Sequence, residues 1–194
     1  MNRWHHSLAI ALVPAAILLT PGVGHGDPDV PPKGEVEIKV VEVPGSGPRL
    51  IMRGLVEQPP RKVWAIVSDC ATYKQHMPRV VSSKLLKKVG NKHTCEVTID
   101  MPFPLSNLTA VTEATHEESD KGMKRSWQLV SGDYKYNDGS WEVKPLGDGS
   151  TSLVTYQVHA EPKSAVPEFI RERAQKSAMP DLMNRIRSES AKVP

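Results

Sequence analysis

The chain has 194 residues, with 25 Lys plus Arg against 22 Asp plus Glu, a formal net charge of +3 and two cysteines. That length fits one domain with a sizeable core. Acids lie among the basic clusters "KLLKKVGNK" and "RERAQK", which reads as solvated surface rather than a nucleic-acid footprint, and the histidines are too scattered for a zinc site.

The first segment, "MNRWHHSLAIALVPAAILLTPGVGHGDP", has a basic start at Arg3, an apolar run from Leu8 to Leu19, and Gly24 and Gly26 placed before Asp27. This pattern predicts a secretory signal peptide over residues 1–26. A membrane anchor needs roughly twenty apolar residues, and this run is shorter and interrupted by Pro14. The expected mature chain is exported, to a periplasm or the medium, with a proline-rich flexible leader at 27–34 and one domain over 35–190.

From Glu35, alternation of Val36, Ile38 and Val40 with charged residues predicts a strand, and "PGSGP" turns it into "RLIMRGLVE" as a hairpin. A helix follows, with Pro59 and Pro60 suited to its start and Val63, Trp64, Ile66 and Val67 as its apolar stripe. One more short turn is expected in "ATYKQHMP". After Pro78, "VVSSKLLKKV", "HTCEVTIDM", "SNLTAVTEATHEE", "GMKRSWQLVS", "GSWEVKP" and "STSLVTYQVHAE" read as strands of an antiparallel meander, with "YNDG" among the turns. Ser164 to Ser190 predicts a long amphipathic helix, kinked at Pro180, bearing Phe169, Ile170, Leu182, Met183 and Ile186. Such a sheet has one face to cover, and the terminal helix is the long element left to lie across it.

Cys70 ends the first helix and Cys95 shares a strand face with Val97 and Ile99. The two form either a disulfide or two separate buried thiols, because sequence does not establish their separation.

The stretches "VEQPPRKVWAIVSDCATYKQHMPRV", "SGDYKYNDGSWEVKP", "GSTSLVTYQVHAEP" and "VPEFIRERAQKSAMPDLMNRIR" together resemble a START-like domain of the SRPBCC superfamily, the group of lipid-transfer domains, polyketide cyclases and coenzyme Q binding proteins. The resemblance implies an α+β helix-grip fold: a curved antiparallel sheet wrapped around a long C-terminal helix, with two short helices after the first strands. It also implies a cavity for a hydrophobic molecule or lipid.

Arg125 shares a strand face with Met123, Trp127 and Leu129. Pointing inward, it must meet a ligand carboxylate, phosphate or carbonyl, or else pair with Glu113 or reach the cavity mouth. Trp127, Trp141 and Tyr156 are candidates for the ligand wall, as are Phe169, Ile170 and Met183 on the terminal helix, with plain core packing as the alternative for each. His116 and His159 end strands, but no carboxylate and histidine stand at a readable catalytic spacing. No nucleophile, metal or phosphate-cradling motif is present, and no cofactor is expected. The reading is an exported binding protein for a lipid-like molecule, with no nucleic-acid partner and a transient membrane contact left open. A cavity enzyme of the cyclase/dehydrase type and an interaction module with a filled core are the alternatives.

Overall fold

The computed structural model describes residues 30–173 and 177–194, so the expected signal segment and its cleavage point lie outside the described residues. Eight strands, β1 (Val36–Val41), β2 (Arg49–Val56), β3 (Val80–Val89), β4 (Lys92–Ile99), β5 (Leu108–Ser119), β6 (Gly122–Gly132), β7 (Tyr134–Leu146) and β8 (Thr151–Pro162), form one antiparallel sheet. Their order is β1-β2-β8-β7-β6-β5-β4-β3. The opening hairpin therefore sits at one edge. After β2 the chain crosses through α1 (Pro60–Ser68), a 3-10 turn at Cys70–Thr72 and α2 (Tyr73–His76) to the far edge, then meanders back until β8 pairs with β2.

Pro60 opens α1 where a missing N–H costs nothing, because first-turn amides have no intrahelical acceptor. The stripe Val63, Trp64, Ile66 and Val67 is buried as its spacing requires. The helix stops at Ser68. Asp69 then turns extended, and its carboxylate accepts the Ala71 N–H at 3.0 Å. On the exposed edge strand β3, Lys84, Lys87 and Lys88 with two register shifts discourage pairing with another chain.

The terminal segment is described as α3 (Glu168–Arg173) and α4 (Met179–Ser190). Ser177 and Ala178 form part of a π-helical turn, and Pro180 falls in the first turn of α4. Such a wide turn accommodates the backbone hydrogen bond a proline cannot donate. α4 packs against α1, α2, β1 and β2. Glu189, itself buried, ties it to the α2 end through His76 Nδ1 at 2.9 Å. Residues 30–34 of the leader lie against the domain: Pro31 is buried, Lys33 pairs with Glu57, and Arg187 donates to the Gly34 and Glu35 carbonyls.

One turn assignment is corrected. "YNDG" is no turn, and β7 runs unbroken from Tyr134, the real turn falling at Gly132 and Asp133. The turn-like residues do other work. Asn137 accepts the Trp127 indole N–H at 3.0 Å, and Arg49 donates to Asp138 at 2.9 Å. Gly139 lets the Trp127 ring lie on the backbone: a Cβ there would sit 2.5 Å from Trp127 Cζ2 and 2.2 Å from the Gln157 carbonyl.

Gly139→Ala should therefore destabilise the fold by about 1–3 kcal/mol, the usual range for overpacking, and displace Trp127. Denaturant melts check this, and an unchanged midpoint would contradict the close packing.

Candidate functional site

The sheet's concave face is covered in two unlike ways. Under α1 and α4 it is solid, built from Met52, Val56, Val143, Val154 and Ile186. Beyond Trp141 and Tyr156 it borders a half-open cavity of about 300 Å³. The connection between α1 and β3 supplies Tyr73, Met77 and Pro78 to its wall, the strands supply Val97, Ile99, Thr112 and Val158, and α4 supplies Leu182.

Strand register explains why residues far apart in sequence meet here. Arg125 is opposite Trp141, Trp141 opposite Tyr156, and Tyr156 opposite Met52, so they form one row across four strands. Trp141 and Tyr156 have ring centroids 4.3 Å apart, and Trp127 stacks on Tyr156 at 5.9 Å.

Of the residues singled out from sequence, Arg125, Trp127, Trp141 and Tyr156 thus stand together on the cavity wall. Those chosen from the terminal helix do not. Phe169 is 68% exposed, and Ile170 is buried outside the cavity lining. Met183 belongs to the solid core, its Cε 2.9 Å from where a Cβ of Gly54 would stand. Adjacent helical residues project about 100° apart, so Leu182 faces the cavity while Met183 faces the sheet. Asn137 and Tyr73 were missed, one hidden in the supposed turn and the other in a short polar segment.

Arg125 is 3% exposed. The alternative partner Glu113 faces the other side of the sheet and pairs with Lys92 at 3.2 Å, because the register sets Arg125 against His116 and leaves Glu113 out of phase. Among the described residues, Arg125 Nη2 donates only to Cys95 Sγ, at 3.6 Å, and Arg125 Nε has no hydrogen-bond partner. The Tyr73 and Trp127 rings lie 5.7 and 5.5 Å from the guanidinium carbon. Cation–π contacts of this kind contribute about 0.5–2 kcal/mol each, against a penalty of several kcal/mol for a buried ion. The charge is therefore under-compensated.

Cys95 and Cys70 form a disulfide, with Cα atoms 6.2 Å apart. It ties the turn before Tyr73 to β4, so one covalent bond fixes both sides of this wall. Closing a loop of 25 residues' separation stabilises by about 3.5 kcal/mol in the chain-entropy treatment.

Behind Arg125, His116 lies 4.0 Å from the His93 ring and 5.4 Å from Trp64, with its Nε2 unpartnered. Burial, helped by neighbouring His93 and Arg125, pushes its pKa down to about 4.

A second polar cluster sits on the sheet's outer face. His159 Nε2 is 2.9 Å from Ser46 Oγ and 3.0 Å from the Gly47 carbonyl, and Nδ1 is 3.2 Å from Asp138 Oδ1. Sequence separation hid this constellation. The Ser46 and Gly47 N–H groups are spent on the Val43 carbonyl and the Tyr136 hydroxyl, so neither is free to stabilise an oxyanion at Ser46. The cluster fastens the β1–β2 loop to the sheet.

Residues 56–187 match the family of polyketide cyclase/dehydrase and lipid transport proteins. The chain belongs to this family. Among solved structures, a STAR-related lipid transfer protein from Xanthomonas axonopodis is similar with a TM-score of 0.71 and 20% identity, covering 84% of this chain and 97% of that one. Human STARD10 is similar at a TM-score of 0.72 and 15% identity, covering 85% and 73%, and the Zhui aromatase/cyclase from a Streptomyces species at 0.61 and 14%, covering 74% and 93%. These likenesses establish the START-like helix-grip fold. A Pseudomonas aeruginosa protein described as uncharacterized is 30% identical over 105 residues, 45% of this chain and 48% of that protein, so the chain spans about half the length of that relative.

The depressed His116 pKa has a definite consequence for stability. Between pH 6.5 and about 4 the unfolded chain takes up a proton that folded His116 refuses, so stability is full above this window and falls as pH drops through it. His93, lowered mainly by burial, acts in the same direction. His116→Gln should flatten the decline in urea melts across the window. An unaltered slope would remove His116 as its source.

Proposed function

We propose that this protein binds a hydrophobic or lipid-like small molecule in the cavity and carries or sequesters it across an aqueous compartment. The observation that carries this reading is the cavity itself, about 300 Å³ with aromatic and aliphatic walls, left beside a core that is solid elsewhere. Pockets of this size with few polar groups are typical of small-molecule sites. The fold shared with proteins described as lipid transfer proteins supports the same reading. Transport takes place outside the cytoplasm: the basic, apolar and small-residue order of positions 1–26 supports export, and the Cys70–Cys95 disulfide suits an oxidising compartment.

The neutral dye N-phenyl-1-naphthylamine tests the cavity. Wild type should bind it saturably, and Trp127→Ala should weaken it roughly fivefold or more, since a stacked aromatic wall contributes on the order of 1 kcal/mol, with melting measured on the same variant. No saturable binding to wild type would reject the reading and favour a filled interaction module. For export, N-terminal sequencing of protein recovered outside the cytoplasm should start near Asp27, and a chain still beginning at Met1 would refute cleavage.

A further inference from the structure

We propose that the ligand carries an anionic head, a carboxylate or phosphate monoester, on an apolar body, and that Arg125 grips this head inside the cavity. The inference rests on the hydrophobic-ligand reading above and adds the chemical class to it.

Among the described residues, Arg125 is the only charged side chain lining the cavity. A guanidinium keeps its charge at any working pH and offers five N–H donors in a planar fork. Here that fork is nearly unspent: Nη2 faces a sulfur at 3.6 Å and Nε faces no acceptor. Of the acids near this end of the sheet, Glu118 holds Arg61 and the Trp64 indole, Glu113 holds Lys92 on the opposite face, and Asp69, whose carboxylate accepts the Ala71 N–H, makes no ion pair with Arg125. Cys95 supplies no thiolate either, because its sulfur is held in the disulfide.

Among the described residues, no side chain supplies Arg125 with an ion-pair partner. A carboxylate or phosphate matches the fork with two parallel hydrogen bonds and cancels the charge. An alcohol or ketone offers one neutral oxygen, and a quaternary ammonium head would be repelled. From Arg125 the lining continues through Val97, Val158, Ala110 and Ala160, which receive the apolar body. Arg125 is 3% exposed, and the lower local dielectric of such a site strengthens a charge-assisted pair relative to one at the surface.

The test displaces N-phenyl-1-naphthylamine with dodecanoate, dodecyl phosphate, dodecan-1-ol and inorganic phosphate, on wild type, Arg125→Met and Arg125→Lys. In wild type, dodecanoate or dodecyl phosphate should bind at least about tenfold tighter than dodecan-1-ol, the usual weight of a charge-assisted pair, and inorganic phosphate alone should not displace the dye. Arg125→Met should abolish the preference, and Arg125→Lys should retain part of it. Should Arg125→Met fail to fold, the lysine variant and the acid titration of wild type decide: dodecanoate must lose its advantage over dodecan-1-ol as its own carboxyl protonates. Dye binding with no preference for either anion, or a preference surviving in Arg125→Met, overturns this proposal and leaves the hydrophobic-ligand reading standing. Failure of the dye and of all three dodecyl compounds to bind removes both.

Discussion

An antiparallel sheet with one apolar face has to bury that face, and α1 and α4 cover only part of it. α1, nine residues long, and α4, twelve, fill the concavity over β1, β2 and the near ends of β6 to β8. The remaining concavity is walled by aromatic rings that hold one another in place. Trp127 rests on Gly139 and hydrogen-bonds Asn137, Tyr156 stacks on it, and Trp141 packs on Tyr156. Rings locked in this way do not collapse into the space beside them. Among the described residues, the cavity follows from the limited reach of α1 and α4 combined with walls too constrained to repack.

The same constraint places a charge where a charge is costly. Once the register of β6 against β5 and β7 is set, Arg125 must face inward in the row with Trp141 and Tyr156. Turning it outward would shift the whole strand by one residue and expose Met123 and Trp127. The disulfide and α2 close over it from the other side, completing its burial with Tyr73. Buried polar groups ordinarily find a partner in the protein or in ordered water, so a guanidinium with few protein partners against an open cavity directs attention to what enters that cavity.

Much of the architecture was legible from sequence because local signals agree with one another. Period-two alternation marked the strands, the paired prolines and the Val63, Trp64, Ile66, Val67 stripe marked α1, and the face shared by Arg125 and Trp127 was correct. What sequence hid depended on partners distant along the chain. "YNDG" carries every local mark of a turn, yet Gly139 is needed for the approach of Trp127 from β6, a demand visible only once the strands are paired. Helical periodicity placed Leu182 and Met183 on one broad stripe but could not tell which meets the cavity and which meets Gly54. The Ser46, Asp138 and His159 cluster joins a loop to two later strands and has no local signature. The disulfide had two readings because a Cα separation of 6.2 Å is a property of the fold.

The central claim is that the space beside Trp127 and Arg125 is kept open for an amphiphile. Native mass spectrometry of protein released from cells without detergent tests it most directly. The expected result is a folded species heavier than the chain by the mass of one acidic lipid or fatty acid, which denaturation releases. Only the bare chain mass, with no adduct formed on incubation with dodecanoate, would contradict it.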